Sequence, residues 1–237
     1  MNKLHTIIFS SLFLCSIYVQ AYQAFSTGNN VIIRNGQVIS STNTVTGSGI
    51  IKSQTRNLNS FSGIRLHIPA EVKIIKGTQP KCTISADDNI LPIITTNVRS
   101  NILTIASNKN FSSANQVTIT ITAPQLSKLF MTASGNVVIE GVQENSLEIV
   151  LGGAINVQAT GKVRTLTVRL DGTGDMDLDN LQVHAADVSL NGAGTIRIFA
   201  TGTFSGLIQG SGDIWVRGNP QILRSTVYGA GQITPIP

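Results

Sequence analysis

The sequence predicts an all-β protein, a right-handed parallel β-helix or solenoid with rungs of about 19 residues, preceded by a less regular β region. Three observations predict it. First, Leu170-Asp171-Gly172-Thr173-Gly174-Asp175-Met176 recurs as Leu190 to Ile196, Ile208 to Ile214 and Val227 to Ile233, with degenerate copies at Met131 to Val137 and Leu151 to Val157. The first-glycine positions fall at 133, 153, 172, 192, 210 and 229, at intervals of 20, 19, 20, 18 and 19. Second, apolar residues alternate on both sides of each glycine pair, as in Leu166, Val168 and Leu170 before one pair and Met176 and Leu178 after it. That period of two marks strands with one buried face. Third, a second corner recurs at Gly141, Gly161, Asn180, Ala200 and Gly218 with the same period. One such repeat cannot bury its own apolar face, whereas a stack of them makes a continuous core.

The elements follow in chain order. Residues 1–21 read as a secretory signal: Lys3 gives a positive start, Ile7 to Val19 an apolar stretch, and Val19-Gln20-Ala21 a small-residue cleavage site before Tyr22. No later stretch reaches the roughly eighteen apolar residues of a membrane helix, so no membrane insertion of the mature chain is expected. Residues 22–46 read as a hairpin and linker: Asn35-Gly36 between two β-rich runs suits a type I′ turn, and Ser40 to Thr46 is expected to be mobile. The solenoid domain is expected over 47–237, with 47–123 as its less regular part. There Leu66 to Val72 matches the repeat without its glycines and is expected to belong to the first rungs. At the far end, Pro235 and Pro237 remove backbone donors and protect an open end.

Composition excludes several function classes. The formal charge of +5 is spread over scattered basic residues, with no basic cluster interleaved with aromatics, so no nucleic-acid partner is expected. Cys15 lies in the signal segment, leaving Cys82 alone; its place in Lys81-Cys82-Thr83-Ile84 suits a small buried hydrophobe. Strands follow the glycine pairs, which removes the helix N-terminus that a phosphate loop requires.

Candidate chemistry is sparse. The column holding Asp175 reads Asn136, Asn156, Asp175, Thr195, Asp213 and Gln232, so carboxylates do not line up as in calcium-binding β-rolls, and small polar residues opening a strand explain it. His67 and His184 have no partner at metal-ligand spacing. No catalytic residue, metal site or cofactor is assigned. The outward column reads Val138, Gln158, Asp177, Arg197, Trp215 and Thr234, where Asp177 and Arg197 are expected to form a surface ion pair. Ile214 and Val216 point inward, so the Trp215 indole is expected to face outward, where it either packs under the C-terminal segment or a loop or stands free for stacking on a sugar ring or docking a partner. Trp215, Arg197 and Asp177 are therefore the candidate ligand-binding residues. A second outward column of Phe130, Val150, Arg169, Ser189, Leu207 and Thr226 is partly apolar and points to a covering layer or to a homo-oligomer.

Gly47-Ser48-Gly49-Ile50, Phe61-Ser62-Gly63-Ile64, Ser85-Ala86-Asp87-Asp88-Asn89-Ile90 and the glycine-pair rungs together resemble the head GIN domain of auto-transporter adhesins. The resemblance covers roughly residues 47 to 233 and implies an exported bacterial protein with a β-helical fold. It departs from a full adhesin in lacking a C-terminal membrane barrel, a wall-sorting signal and a long passenger array. The expected function is non-enzymatic: surface interaction, with adhesion to a glycan or protein, or envelope architecture, in the periplasm, at the cell surface or secreted. The alternative is a carbohydrate-active enzyme using Asp177 and Arg197.

Overall fold

The spacing of the glycine pairs is the strand-pairing offset of the computed structural model, which describes residues 32–34, 37–40 and 44–236. The chain divides into two units, residues 1–43 and 44–237. In the first, β1 (Ile32–Arg34) and β2 (Gln37–Ser40) pair antiparallel with Arg34 opposite Gln37, the hairpin expected around Asn35-Gly36. The signal segment lies outside the described residues.

In the second unit the irregular region contributes β3 (Val45–Thr46), β4 (Ile51–Asn57), β5 (Gly63–Leu66), β6 (Ala70–Lys76), β7 (Lys81–Asp87), β8 (Ile94–Arg99), β9 (Ile102–Ser107), β10 (Phe111–Ser112) and β11 (Thr118–Ala123). The repeats contribute β12 (Lys128–Met131), β13 (Gly135–Leu151), β14 (Ile155–Leu170), β15 (Met176–Leu190), β16 (Ala193–Ile208), β17 (Ser211–Arg217), β18 (Ile222–Val227) and β19 (Ile233–Pro235). The linker expected to reach Thr46 ends earlier. Val45 and Thr46 pair in parallel with Phe111 and Ser112, and Val45 packs on the core.

Two walls of parallel strands carry the stack. One is traced by Ile64, Leu129, Ile149, Val168, Val188, Gly206 and Ser225, each paired with the next. The other is traced by Val72, Val137, Val157, Met176, Ile196, Ile214 and Ile233. The segment from Leu66 to Val72 therefore spans both walls as an early coil, as its match to the repeat implied. Beyond it the walls end in antiparallel strands, β8 on β9 and β7 between β4 and β11.

Alternation directs the core. Leu66, Met131, Leu151, Leu170, Leu190 and Ile208 stack in register and are fully buried, each contributing about 1.5–3 kcal/mol on burial. Gly206 interrupts the neighbouring aliphatic column, and the Phe204 ring and the Ile233 side chain occupy the space a Cβ would take. At the open end the row continues to Val227, which is exposed, as are Ile222 and Leu223 of the same strand.

The glycine pair is dictated by backbone contact between coils. A Cβ on Gly192 would lie 1.7 Å from the carbonyl oxygen of Gly172 one coil away, and the same relation holds at Gly153, Gly172, Gly210 and Gly229. Gly194 adds a second restriction: its φ is 140° and its Cβ would lie 1.9 Å from the Gly174 carbonyl oxygen. In the degenerate copy, Ile155 takes the second-glycine position and turns its side chain into the core.

The second corner differs from its expected column. Gly161 pairs with Val142 and Leu181, while Ala200 pairs with Val183 and is buried. The physical reason is that register shifts occur here, between Ile139 and Val142 and between Leu178 and Gln182, so equal spacing in sequence does not give equal position in space.

Gly192→Ala is expected to lower unfolding free energy on the order of 3 kcal/mol, because backbone cannot yield as a side chain would. Gly152→Ala, where the nearest atom to a new Cβ is 3.8 Å away, is expected to change it by less than about 0.5 kcal/mol. Urea titration of both variants checks the contrast.

Candidate functional site

Strand pairing aligns the outward column as Val138, Gln158, Asp177, Arg197, Trp215 and Thr234. Trp215 is held between Ile214 and Val216, both fully buried, and its own side chain is half-buried. Asp177 and Arg197 are register neighbours, but the ion pair expected between them is absent among the described residues. The Asp177 carboxylate instead accepts the backbone N–H of Asp179 at 3.2 Å. Arg217 approaches Asp179 at 3.9 Å, while the other Asp179 oxygen, Oδ1, is buried without a hydrogen-bond partner.

From the sequence Asp179 belongs only to the acidic group of Asp171, Asp175 and Asp177, and Arg217 only to the scattered basic residues; neither is a ligand-binding candidate there, although each lies two residues beyond one on the same strand. Period two puts Asp179 on the side of Asp177, and Arg217 on the side of Trp215. Together these five residues make a face of an indole, two carboxylates and two guanidinium groups on adjacent coils. Such a face can stack on an apolar surface while donating and accepting hydrogen bonds around it.

The polar column beside the glycine corner is a ladder between coils. Asn136 donates its amide to Glu71 at 2.8 Å and accepts from the Asn156 amide at 3.0 Å. The backbone N–H of Asp175 donates to Asn156 at 2.9 Å, that of Thr195 to the Asp175 carboxylate at 2.9 Å, and that of Gln232 to Asp213 at 3.0 Å. Asp175 and Asp213 are thereby engaged in joining coils. Asp171 is similarly engaged: Arg169 bonds it at 2.8 Å and the Asn191 amide at 2.7 Å, and chiefly the Arg169 bond lowers its pKa from the ordinary 3.8. Of the histidines, His67 Nδ1 lies 3.2 Å from the Thr132 hydroxyl, and His184 is exposed.

The segment Ser85 to Ile90 forms a latch at the irregular end. Buried Asp87 accepts hydrogen bonds from the Ser113 hydroxyl and, at 2.7 Å, from the Asn115 amide. Asp88 accepts from the Ser48 hydroxyl at 2.6 Å, while Asn89 accepts the Ser48 N–H and donates to the Thr46 carbonyl. Gly47 is required beside it, since a Cβ there would lie 1.9 Å from an Asp87 oxygen. The Ser113 bond first, then that from Asn115, holds the Asp87 carboxyl below its ordinary 3.8; the Ser48 bond does most for Asp88. Cys82 is fully buried, and burial, opposed in part by Arg56, pushes its thiol up to about 11.

Among the described residues no group of three or more His, Cys, Asp or Glu side chains is placed to hold a metal ion, and no helix is long and apolar enough to cross a membrane. Fold and register together define a class: a wound β-repeat protein that presents columns of side chains outward. More narrowly, the chain belongs to the family described as "Putative auto-transporter adhesin, head GIN domain", whose model matches residues 60–220. That family name points to an adhesin-like, exported or surface protein. Among solved structures it is similar to a putative adhesin from Bacteroides fragilis, at 24% identity and a TM-score of 0.65, over 81% of this chain and 100% of that one. It is also similar to a putative lipid binding protein from Parabacteroides distasonis, at 19% identity and a TM-score of 0.51, over 82% of this chain and 100% of that one. These likenesses show the fold. No curated protein matches the chain.

Two outcomes follow for the titratable groups. The folded pKa values of Asp87, Asp88 and Asp171 lie below 3.8, so their stabilisation is present above that pH and lost as pH falls through the folded values. Unfolding free energy from urea titration is expected to be level between about pH 5 and 7 and to fall below about pH 4, with Asp87→Asn showing a shallower fall. Cys82 is expected to resist a thiol-specific chromogenic reagent in the native protein at pH 8 and to react fully in denaturant.

Proposed function

We propose that this protein is an exported, non-enzymatic interaction module that adheres to a glycan or a surface protein through the face centred on Trp215, with Arg197 and Asp177 beside it. The observation that carries this reading is the indole of Trp215, fixed outward by two buried neighbours on a rigid strand and bordered by charged groups on adjacent coils. Rigid aromatic anchors of this kind lose little conformational entropy on binding, which favours affinity from a small contact. Arg197 and Arg217 supply donors, and the Asp177 carboxylate, one oxygen of which accepts the Asp179 N–H, supplies an acceptor, so a ligand rich in hydroxyl or amide groups suits the face. The family's adhesin description supports a surface role.

A hydrolytic reading is less well supported. Glycosidic cleavage needs two carboxylates across a bound sugar, whereas Asp177 and Asp179 are successive outward residues of one strand and Asp177 is bonded to the Asp179 backbone. The location proposed is outside the cytoplasm, in the periplasm, at the cell surface or secreted.

The test is binding of the purified chain to an array of glycans and extracellular-matrix proteins, beside Trp215→Ala and Arg197→Ala variants whose fold is checked by circular dichroism. Selective binding that falls at least about tenfold in Trp215→Ala is the expected result. Equal binding by the folded variant would move the adhesive surface elsewhere.

A further inference from the structure

A second surface lies at the irregular end of the stack, coils away from Trp215. The loop after β10 stands off the first glycine corner and leaves an open groove of about 690 Å³ between Phe111 to Val117 and the corner at Gly135 and Asn136. We propose that this groove binds a neutral, polyhydroxylated ligand, a short oligosaccharide, independently of the Trp215 face.

The lining carries the argument. Glu71 is the single ionisable side chain among the residues that form the groove. Its Oε1 accepts from the Gln116 amide at 2.6 Å and from the Asn136 amide at 2.8 Å, so both side chains are gathered on one oxygen and held in place before anything binds. Asn115 is fixed in the same way, donating its amide to buried Asp87 at 2.7 Å. Pre-ordering of this kind removes part of the entropic cost of binding. Gln116 and Asn115, engaged through their amide nitrogens, keep their carbonyl oxygens, and Gln116 keeps a further N–H, giving donors and acceptors side by side, while the Asn136 oxygen already accepts from Asn156. Hydroxyl groups, which both donate and accept, match that pattern. Phe111 is half-buried against the core and supplies an apolar wall for the C–H face of a sugar ring.

Other ligand classes fit less well. An anion meets Glu71 with no lysine or arginine in the lining to offset it. A wholly apolar ligand leaves the amides unpaired, a cost that hydroxyl groups avoid.

The test is a titration of the isotope-labelled full chain, followed by backbone amide resonances. The probes are short neutral gluco-, manno- and xylo-oligosaccharides, with spermidine as the cationic control. Saturable shifts at Ser112 to Val117, Gly135 and Asn136 with at least one sugar series are expected. Gln116→Ala, an exposed site, is expected to weaken that binding about tenfold, and Trp215→Ala to leave it unchanged. Phe111→Ala, accepted only if its melting curve stays cooperative, is expected to weaken it at least as much. No shift with any sugar series, shifts with spermidine alone, or unchanged affinity in Gln116→Ala would overturn the proposal.

Discussion

Close contact between backbones at the glycine corner is the constraint on which the rest of this molecule depends. Where Gly192 passes Gly172, there is no room for a side chain between the coils. That approach brings the coils into parallel register and lets both walls run from β13 to β16. Once the corner fixes the register, alternation does the remainder within each wall: every second residue falls into the core and every intervening one faces outward, until the shifts at the second corner interrupt the pattern. A change of one residue in register would exchange the two sets.

The ladder from Glu71 through Asn136, Asn156, Asp175 and Thr195 supplies hydrogen bonds at the same corner. The tight turn leaves backbone donors that the regular strand pairing does not reach, and short side chains ending in oxygen reach them from the adjacent coil. This gives a reason for the small polar residues of that column and explains why Asp175 and Asp213 are structural despite their resemblance to a cation site. The latch around Asp87 has the same character at the irregular end, where it joins the Gly47 and Ser113 loops through one buried carboxylate.

The outward columns and the loops are the parts of the fold that neither the core nor the glycine corner uses. A solenoid wall is rigid and repeats at a constant strand spacing, so side chains on neighbouring coils are presented as a fixed array. Trp215, Arg197 and Asp177 are one such array. Phe130 belongs to another, where Arg65 on the preceding coil covers its ring at 5.4 Å and so shields part of the apolar column expected to need a second layer. The groove by Phe111 is different in kind, because it arises where a loop of the irregular region crosses the first regular corner.

The sequence by itself determined the solenoid, its period, its inward residues and the column that contains Trp215, because glycine pairs and period-two alternation are local consequences of backbone geometry. The hairpin at Asn35-Gly36 was legible for the same reason. Tertiary structure alone decided the partners of the charged groups: Asp177 turned to the Asp179 backbone, Arg217 rather than Arg197 took a carboxylate, and Asp87 became a buried latch. It also decided the register at the second corner, where shifts between strands displaced Ala200 into the core, and it assembled the groove from Glu71, Gln116 and Asn136, residues far apart in the chain. Local pattern sets which way a side chain points; which atom it meets depends on coils brought together across long sequence separations.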